Sequence, residues 1–336
     1  MKRGLTLTLG LVMTGMTVFG QQLPQYSQYH RNQIMANPAA VGAFDHLDIT
    51  LGGRYQWLGL GNDVQGNVSP RTAYLYGGTV LSHTKVRYNP ALRISNGPIR
   101  TPKVGTGKIK HAVGAQVVMD EYGAFNNLSF GGMYAIHLPL SKDVNMSFGV
   151  NVGLSNHSFL PEKAQVLSDM TSGTSGTDPV YTNFMSGGSG VSRMFMDLGA
   201  GMYIYSQDFF FSLSSNQLTT DMISLGSVTS NFNPKMHFQA SGGYKFHLND
   251  DWSLMPSALV KYMSPAPISM EFTLQAEYKE WLWFAASYRH TDAIIPMLGA
   301  NLSQRFKIGY SYDYSLSRLN TQTSGGHEII LGFYMP

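Results

Sequence analysis

The residues able to do chemistry are plentiful but poorly spaced for it. Ten histidines are scattered along 336 residues, and none stands in a His-x-x-x-His or His-Glu-x-x-His spacing that would seat zinc on one helical face. His327 and Glu328 are adjacent, but neighbours on a strand face opposite ways, so they do not form one acid–base pair. Ser, His and Asp abound, yet geometry and not inventory defines a catalytic triad, so the chain is expected not to be an enzyme. Ser186-Gly187-Gly188-Ser189-Gly190 is not followed by Lys-Ser/Thr and opens no helix, so it reads as a loop and not as a phosphate cradle. Asp45, Asp48 and Asp63 lack the spacing of a calcium loop and read as solvated carboxylates. Cysteine is absent, which excludes disulfides, thiolate metal sites and a lipidated N-terminus. No cofactor or small-molecule substrate is expected.

One charged cluster remains. The segment 84–110 holds Lys85, Arg87, Arg93, Arg100, Lys103, Lys108 and Lys110 and no Asp or Glu. A one-signed patch steers association with its opposite, so this segment reads either as a solvated loop near anionic headgroups or as a periplasmic docking arm for an acidic partner. The formal charge of the whole chain, +3, is too small to imply nucleic acid.

The elements that must carry these residues are strands. From Lys307 to Tyr314 the chain alternates without a break, with Ile308, Tyr310, Tyr312 and Tyr314 on one parity and Lys307, Gly309, Ser311 and Asp313 on the other. Successive strand side chains point to opposite faces, so one face is aromatic and apolar and the other small or polar. The same alternation predicts strands over 46–57, 72–81, 111–120, 125–138, 145–155, 193–205 and 208–214. It continues over 235–247, 252–263, 268–278, 281–289, 297–304, 306–315 and 326–334. Fourteen is an even number of the kind that bacterial single-chain barrels use, and each strand is near the length that crosses a bilayer at a tilt.

Composition agrees. Charged residues are 13% of the chain, against roughly 25% in soluble globular proteins. Gly (36), Tyr (19) and Phe (18) are frequent, while mean hydropathy is only -0.10. That mixture suits a transmembrane antiparallel β-barrel of the outer membrane, where lumen-facing polar residues dilute lipid-facing ones. A soluble β-sandwich would turn the apolar parity to a core, but so many uncharged hairpins would leave large apolar surface in water. Trp57, Trp252, Trp281 and Trp283 near strand ends read as aromatic girdles.

Lys2 and Arg3 before an apolar stretch from Leu5 to Phe19 read as a secretory signal peptide over 1–20, with maturation near Gln21. No later apolar run reaches the length of about 18 residues that a helix needs to span a bilayer. Residues 21–44 read as an arm lying under or inside the mouth of a barrel formed by 45–336. With the N-terminus in the periplasm, short turns at 141–143, 207, 249–251 and 279–280 fall inside and the long loops 59–70, 157–192 and 216–234 outside. The segment 84–110 is the periplasmic exception.

Ordered along the mature chain are Gln25-Tyr26-Ser27-Gln28-Tyr29, Asn37-Pro38-Ala39 with Gly42, and Arg54-Tyr55-Gln56-Trp57. Then come Val260-Lys261-Tyr262, Tyr288-Arg289 with Asp292-Ala293-Ile294, Gly309-Tyr310-Ser311-Tyr312-Asp313-Tyr314, and Gly326-His327-Glu328-Ile329. In these pieces the chain resembles the PorP/SprF family of type IX secretion outer-membrane proteins of Bacteroidetes. Val41 and the stretch 67–71 depart from the family pattern. The resemblance implies an outer-membrane location and work with the type IX secretion and gliding machinery. It also implies a role in anchoring or exporting a surface adhesin, or in docking to the periplasmic apparatus. A passive porin or hydrophobic-solute transporter is the alternative that barrel size alone permits.

Overall fold

The computed structural model describes residues 24–60, 69–81, 106–160, 163, 191–219, 224–225, 235–264, 266–303 and 305–335. Fourteen antiparallel strands form the wall. They are β1 (Leu47–Tyr55), β2 (Arg71–Val80), β3 (Lys110–Tyr122), β4 (Phe125–Pro139), β5 (Asn145–Phe159), β6 (Val191–Tyr205) and β7 (Phe209–Asn216). The circuit goes on with β8 (His237–Tyr244, continued by Phe246–His247), β9 (Trp252–Tyr262), β10 (Ser269–Tyr278) and β11 (Leu282–Arg289). It ends with β12 (Ala293–Asn301), β13 (Phe306–Ser315) and β14 (Gly326–Met335). Each strand pairs with its sequence neighbour, and β14 returns to β1 with Leu47 opposite Met335 and Tyr55 opposite His327. The sheet is closed, and that leaves no edge in the hydrocarbon layer.

The alternation decides which face looks where. On β13 Phe306, Ile308 and Tyr314 are exposed or nearly so, whereas Lys307, Gly309, Ser311, Asp313 and Ser315 are buried. On β5 Phe148, Val150, Val152 and Leu154 are all exposed, and Asn145, Ser147, Asn151 and Ser155 are buried. The polar parity is inside and the apolar parity outside, the reverse of a soluble protein and the arrangement of a lipid-embedded barrel.

All fourteen predicted strands are present. The clearest shift is β12, which starts at Ala293 and not at 297. Pro296 has no N–H to donate to a ladder. In the fold it sits within β12, where Ile295 and Pro296 drop out of the ladder to β13 but keep their register with β11. Trp283 is a correction of another kind. It is 1% exposed and points into the lumen beside Ala285, Ile295 and Met297, because Leu282 and Phe284 take the outward parity. Trp252 and Trp281, by contrast, lie exposed near the short-turn end.

At that end the connections after β4, β6, β8, β10 and β12 are all five residues or shorter in sequence, and β1 begins and β14 ends there. Lys279 and Glu280, both at positive φ (51° and 56°), make the tight turn between β10 and β11. The opposite end carries the longer connections, apart from the tight ones after β3 and β11. The long connection between β2 and β3 is the exception at the short-turn end. In barrels of this kind the short turns are periplasmic.

Candidate functional site

Of the two places expected for the arm, under or inside the mouth, it takes the inner one and runs through the lumen. Ser27, Gln28, Asn32, Asn37, Ala39 and Val41 are 0% exposed. Starting near the long-loop end, the arm passes a four-residue helical turn (Gln33–Ala36) and a short 3-10 turn (Pro38–Ala40), then descends to β1. Asn37 caps the 3-10 turn by accepting from the Ala39 N–H at 2.9 Å. Its amide group donates to Met202 O, Ser212 Oγ and Leu213 O across β6 and β7. This is why the lumen parity of the sequence is rich in small residues. A Cβ on Gly201 would strike the Asn37 side chain, and one on Gly149 the backbone of Pro38 and Ala39.

The upper end of the arm is held by charge. The Arg54 guanidinium donates to Gln25 O at 2.8 Å and to Asp313 Oδ2 at 2.7 Å, and its Nε lies 3.9 Å from Glu328. Ser27 gives its N–H to Glu328 Oε2 at 2.6 Å and its hydroxyl to Asp313 Oδ1 at 2.6 Å. Tyr74 donates to the other Glu328 oxygen at 3.2 Å and receives the Asn32 amide at 2.7 Å. Arg289 closes the network with Glu271 at 2.8 Å, Asp292 at 3.1 Å and Asp313 at 3.4 Å. Such charges persist away from bulk water only when paired and hydrogen-bonded, and each of these has a partner of opposite sign.

Six of the eleven motif positions singled out from the sequence meet here. Gln28, Tyr29, Arg54, Asp313 and Glu328 are buried around the upper arm, with Gln56 3.0 Å from Arg54 and the Tyr29 hydroxyl 3.0 Å from Ser257 Oγ. Asn37 and Pro38 hold the middle of the arm. Tyr310 and His327 are on the outer parity and bond each other at 2.7 Å, so His327 and Glu328 do face opposite ways. Trp57 makes a left-handed turn just after β1 (φ 53°). Glu271 was not singled out; the signal was an inward-parity carboxylate between Met270 and Phe272 in a chain with few charges.

The basic cluster fares differently. Lys85, Arg87, Arg93, Arg100 and Lys103 lie outside the described residues, as do the signal peptide and Asp63. Lys108 is exposed at the short-turn end. Lys110 is a correction: it is 6% exposed, its ammonium donates to Gly42 O at 2.9 Å and Asp45 at 2.8 Å, and it is engaged in tying down the lower arm. Asp48 faces Lys307 at 3.5 Å. Among the described residues no group of three or more His, Cys, Asp or Glu could hold a metal ion.

Beside the lower arm the lumen opens toward the short turns as a cavity of about 1290 Å³, lined among others by Tyr205, Phe210, Trp252, Glu277, Trp281 and Tyr334. His30 forms part of its inner wall and stacks edge-on against Tyr29 and Trp283. His30 lies on the arm, outside the membrane-spanning strands, and burial, reinforced by Arg31, holds its imidazole down at about 3.

The family model for the type IX secretion system membrane protein PorP/SprF matches residues 18–333. The chain belongs to the PorP/SprF family. The PorP/SprF wall also resembles solved barrels at the level of fold. A deletion mutant of TodX, described as a monoaromatic hydrocarbon channel, is 10% identical over 90% of this chain and 93% of that one, with a TM-score of 0.52. The Ralstonia pickettii toluene transporter TbuX is 11% identical, with 90% and 92% covered and a TM-score of 0.48. The translocator domain of the autotransporter NalP from Neisseria meningitidis is 10% identical, with 92% and 95% covered and a TM-score of 0.42. No curated protein matches the sequence.

Proposed function

We propose that this PorP/SprF barrel is a non-enzymatic, plugged scaffold of type IX secretion. It resides in the outer membrane after removal of its signal peptide, anchors or assists export of a cell-surface protein such as an adhesin, and docks to the periplasmic apparatus. One observation carries this reading: the arm is built into the lumen, fixed at its upper end by Arg54, Asp313 and Glu328, so the barrel offers surfaces to partners and not a conduit. Docking would use the basic segment 84–110, of which Lys108 remains exposed and Lys110 is withdrawn. Deleting the gene should strip one surface protein, or the secreted set as a whole, from the cell. An unchanged surface and secreted protein profile sinks the proposal.

A second reading, a passive porin or hydrophobic-solute channel, is favoured by the cavity at the short-turn end and by the likeness in fold to TodX, described as a hydrocarbon channel. Conductance of the purified protein in a planar bilayer separates the two. The scaffold reading expects no steady open state, and a stable pore in the unaltered chain favours transport.

A further inference from the structure

The charged groups that hold the arm gather at the joint that sequence order leaves to last. β1 is the first strand of the chain and β14 the last, and their pairing shuts the barrel. Lumen-facing charges line that joint: Arg54 on β1 stands directly opposite Glu328 on β14, and Asp313 lies on the adjoining β13. All three touch the arm. The N-terminal side of the joint is rich in donors, since Arg54 holds Gln25 O and the Ser27 N–H and hydroxyl point the same way. The C-terminal hairpin β13–β14 brings the acceptors, two carboxylates. Gly309 on β13 has no side chain where Gln28 packs, so the hairpin can approach the arm closely.

The sequence separations set the order of events. Gln25 and Arg54 are 29 residues apart, whereas Ser27 and Glu328 are 301 apart. Closing a long loop carries an entropic cost before any long-range contact is made, so a preassembled local receptor lowers the barrier to the distant joint. Without the arm, Arg54 would be the one β1 cation facing both carboxylates, and part of their bonding capacity would be unmet.

We propose that the arm is the internal template for barrel closure. Docked on the inner face of β1, it presents the Arg54 guanidinium and the Ser27 donors as a receptor for Asp313 and Glu328, and the β1–β14 ladder then zips. This job is independent of which partner the finished barrel serves.

The test is refolding of the full chain from urea into dilauroylphosphatidylcholine vesicles, with closure followed by the faster gel migration of the unheated barrel. Ser27→Ala removes the hydroxyl given to Asp313 and should slow closure about tenfold with little change in the unfolding rate. Asn37→Ala removes bonds to β6 and β7, away from the joint, and should speed unfolding while closure stays within about twofold. A chain beginning at Asp45 should close at least tenfold more slowly, on the same basis. Closure of the Ser27→Ala chain or the arm-less chain at the wild-type rate overturns the proposal. So does Asn37→Ala slowing closure as much as Ser27→Ala.

Discussion

The two halves of the lumen are lined by the same parity of the same strands, yet they are filled differently. In the half near the long loops, arginine, carboxylate and arm backbone pack closely, and the cavity beside Arg54, Arg289 and Asp313 is about 10 Å³. In the half near the short turns the wall is also polar, but the arm lies to one side and a cavity of about 1290 Å³ remains. The ion pairs differ only in part, since Lys307 and Asp48, which also border the cavity, are 4% and 8% exposed. Arg54 and Asp313 are 2% and 7% exposed, whereas Lys245, paired with Glu277 at 3.0 Å, is 20% exposed at the cavity wall. A polar lumen is therefore not one environment. Around the upper arm the pairs are dry, whereas at the cavity wall a pair such as Lys245–Glu277 meets water and is in part screened.

Truncation should break this symmetry most clearly. Arg54→Ala leaves Asp313 and Glu328 buried with a cation removed and is expected to cost about 3–5 kcal/mol of barrel stability, read as the urea midpoint for loss of the fast-migrating form. Lys245→Ala should cost about 1–2 kcal/mol in the same assay: Lys245 is partly solvated at the cavity, and its loss leaves one buried carboxylate, Glu277, without its cation. Equal losses would mean that the upper network is as wet as the cavity.

A packing change tests the arm between the two halves. Gly201→Val puts a branched side chain where Asn37 lies, and either the arm or β6 must shift. The expected cost is about 1–3 kcal/mol, together with a conductance above that of the unaltered chain. A destabilised barrel that stays closed to ions would show that the arm is not what seals the lumen.

The wall was legible in the sequence because alternation over ten residues is a local pattern, and a one-residue slip would have put Phe148, Val150 and Val152 in the lumen. The start of β12 was not legible: Pro296 lacks an N–H, yet it is tolerated there because one neighbour's ladder opens. The filled lumen was not legible. Ser27, Gln28 and Asn37 look like any polar loop, and their role depends on partners up to 301 residues away. The trace they left was indirect: Gly149 and Gly201 on the lumen parity, and inward Arg54, Arg289, Glu271, Asp313 and Glu328 in a chain with few charges. Lys110 shows the limit of reading charge by neighbourhood. Its sequence context is a basic run, but its position at the start of β3 turns it inward.

The smallest expected effect lies at the boundary between the halves. His30 is 4% exposed, and the groups around it are Arg31, which opposes a second positive charge, the neutral Gln275 amide, Tyr29 and Trp283. Its imidazole titrates at about 3 when the arm is seated and at 6.5 when it is free. The free arm thus binds a proton that the seated arm refuses, so stability from this site is fully present above pH 6.5 and is lost progressively as pH falls toward 3. At pH 5.5 the loss is on the order of 1 kcal/mol, since one unit of pH within this window is worth about 1.4 kcal/mol. His46, held down at about 4 chiefly by burial, adds a similar slope at the lower end of the arm. His30→Gln should therefore flatten the urea midpoint between pH 7 and 5.5 without abolishing all acid sensitivity. An unchanged slope would mean that water reaches His30 from the cavity and that the dry half of the lumen ends above it.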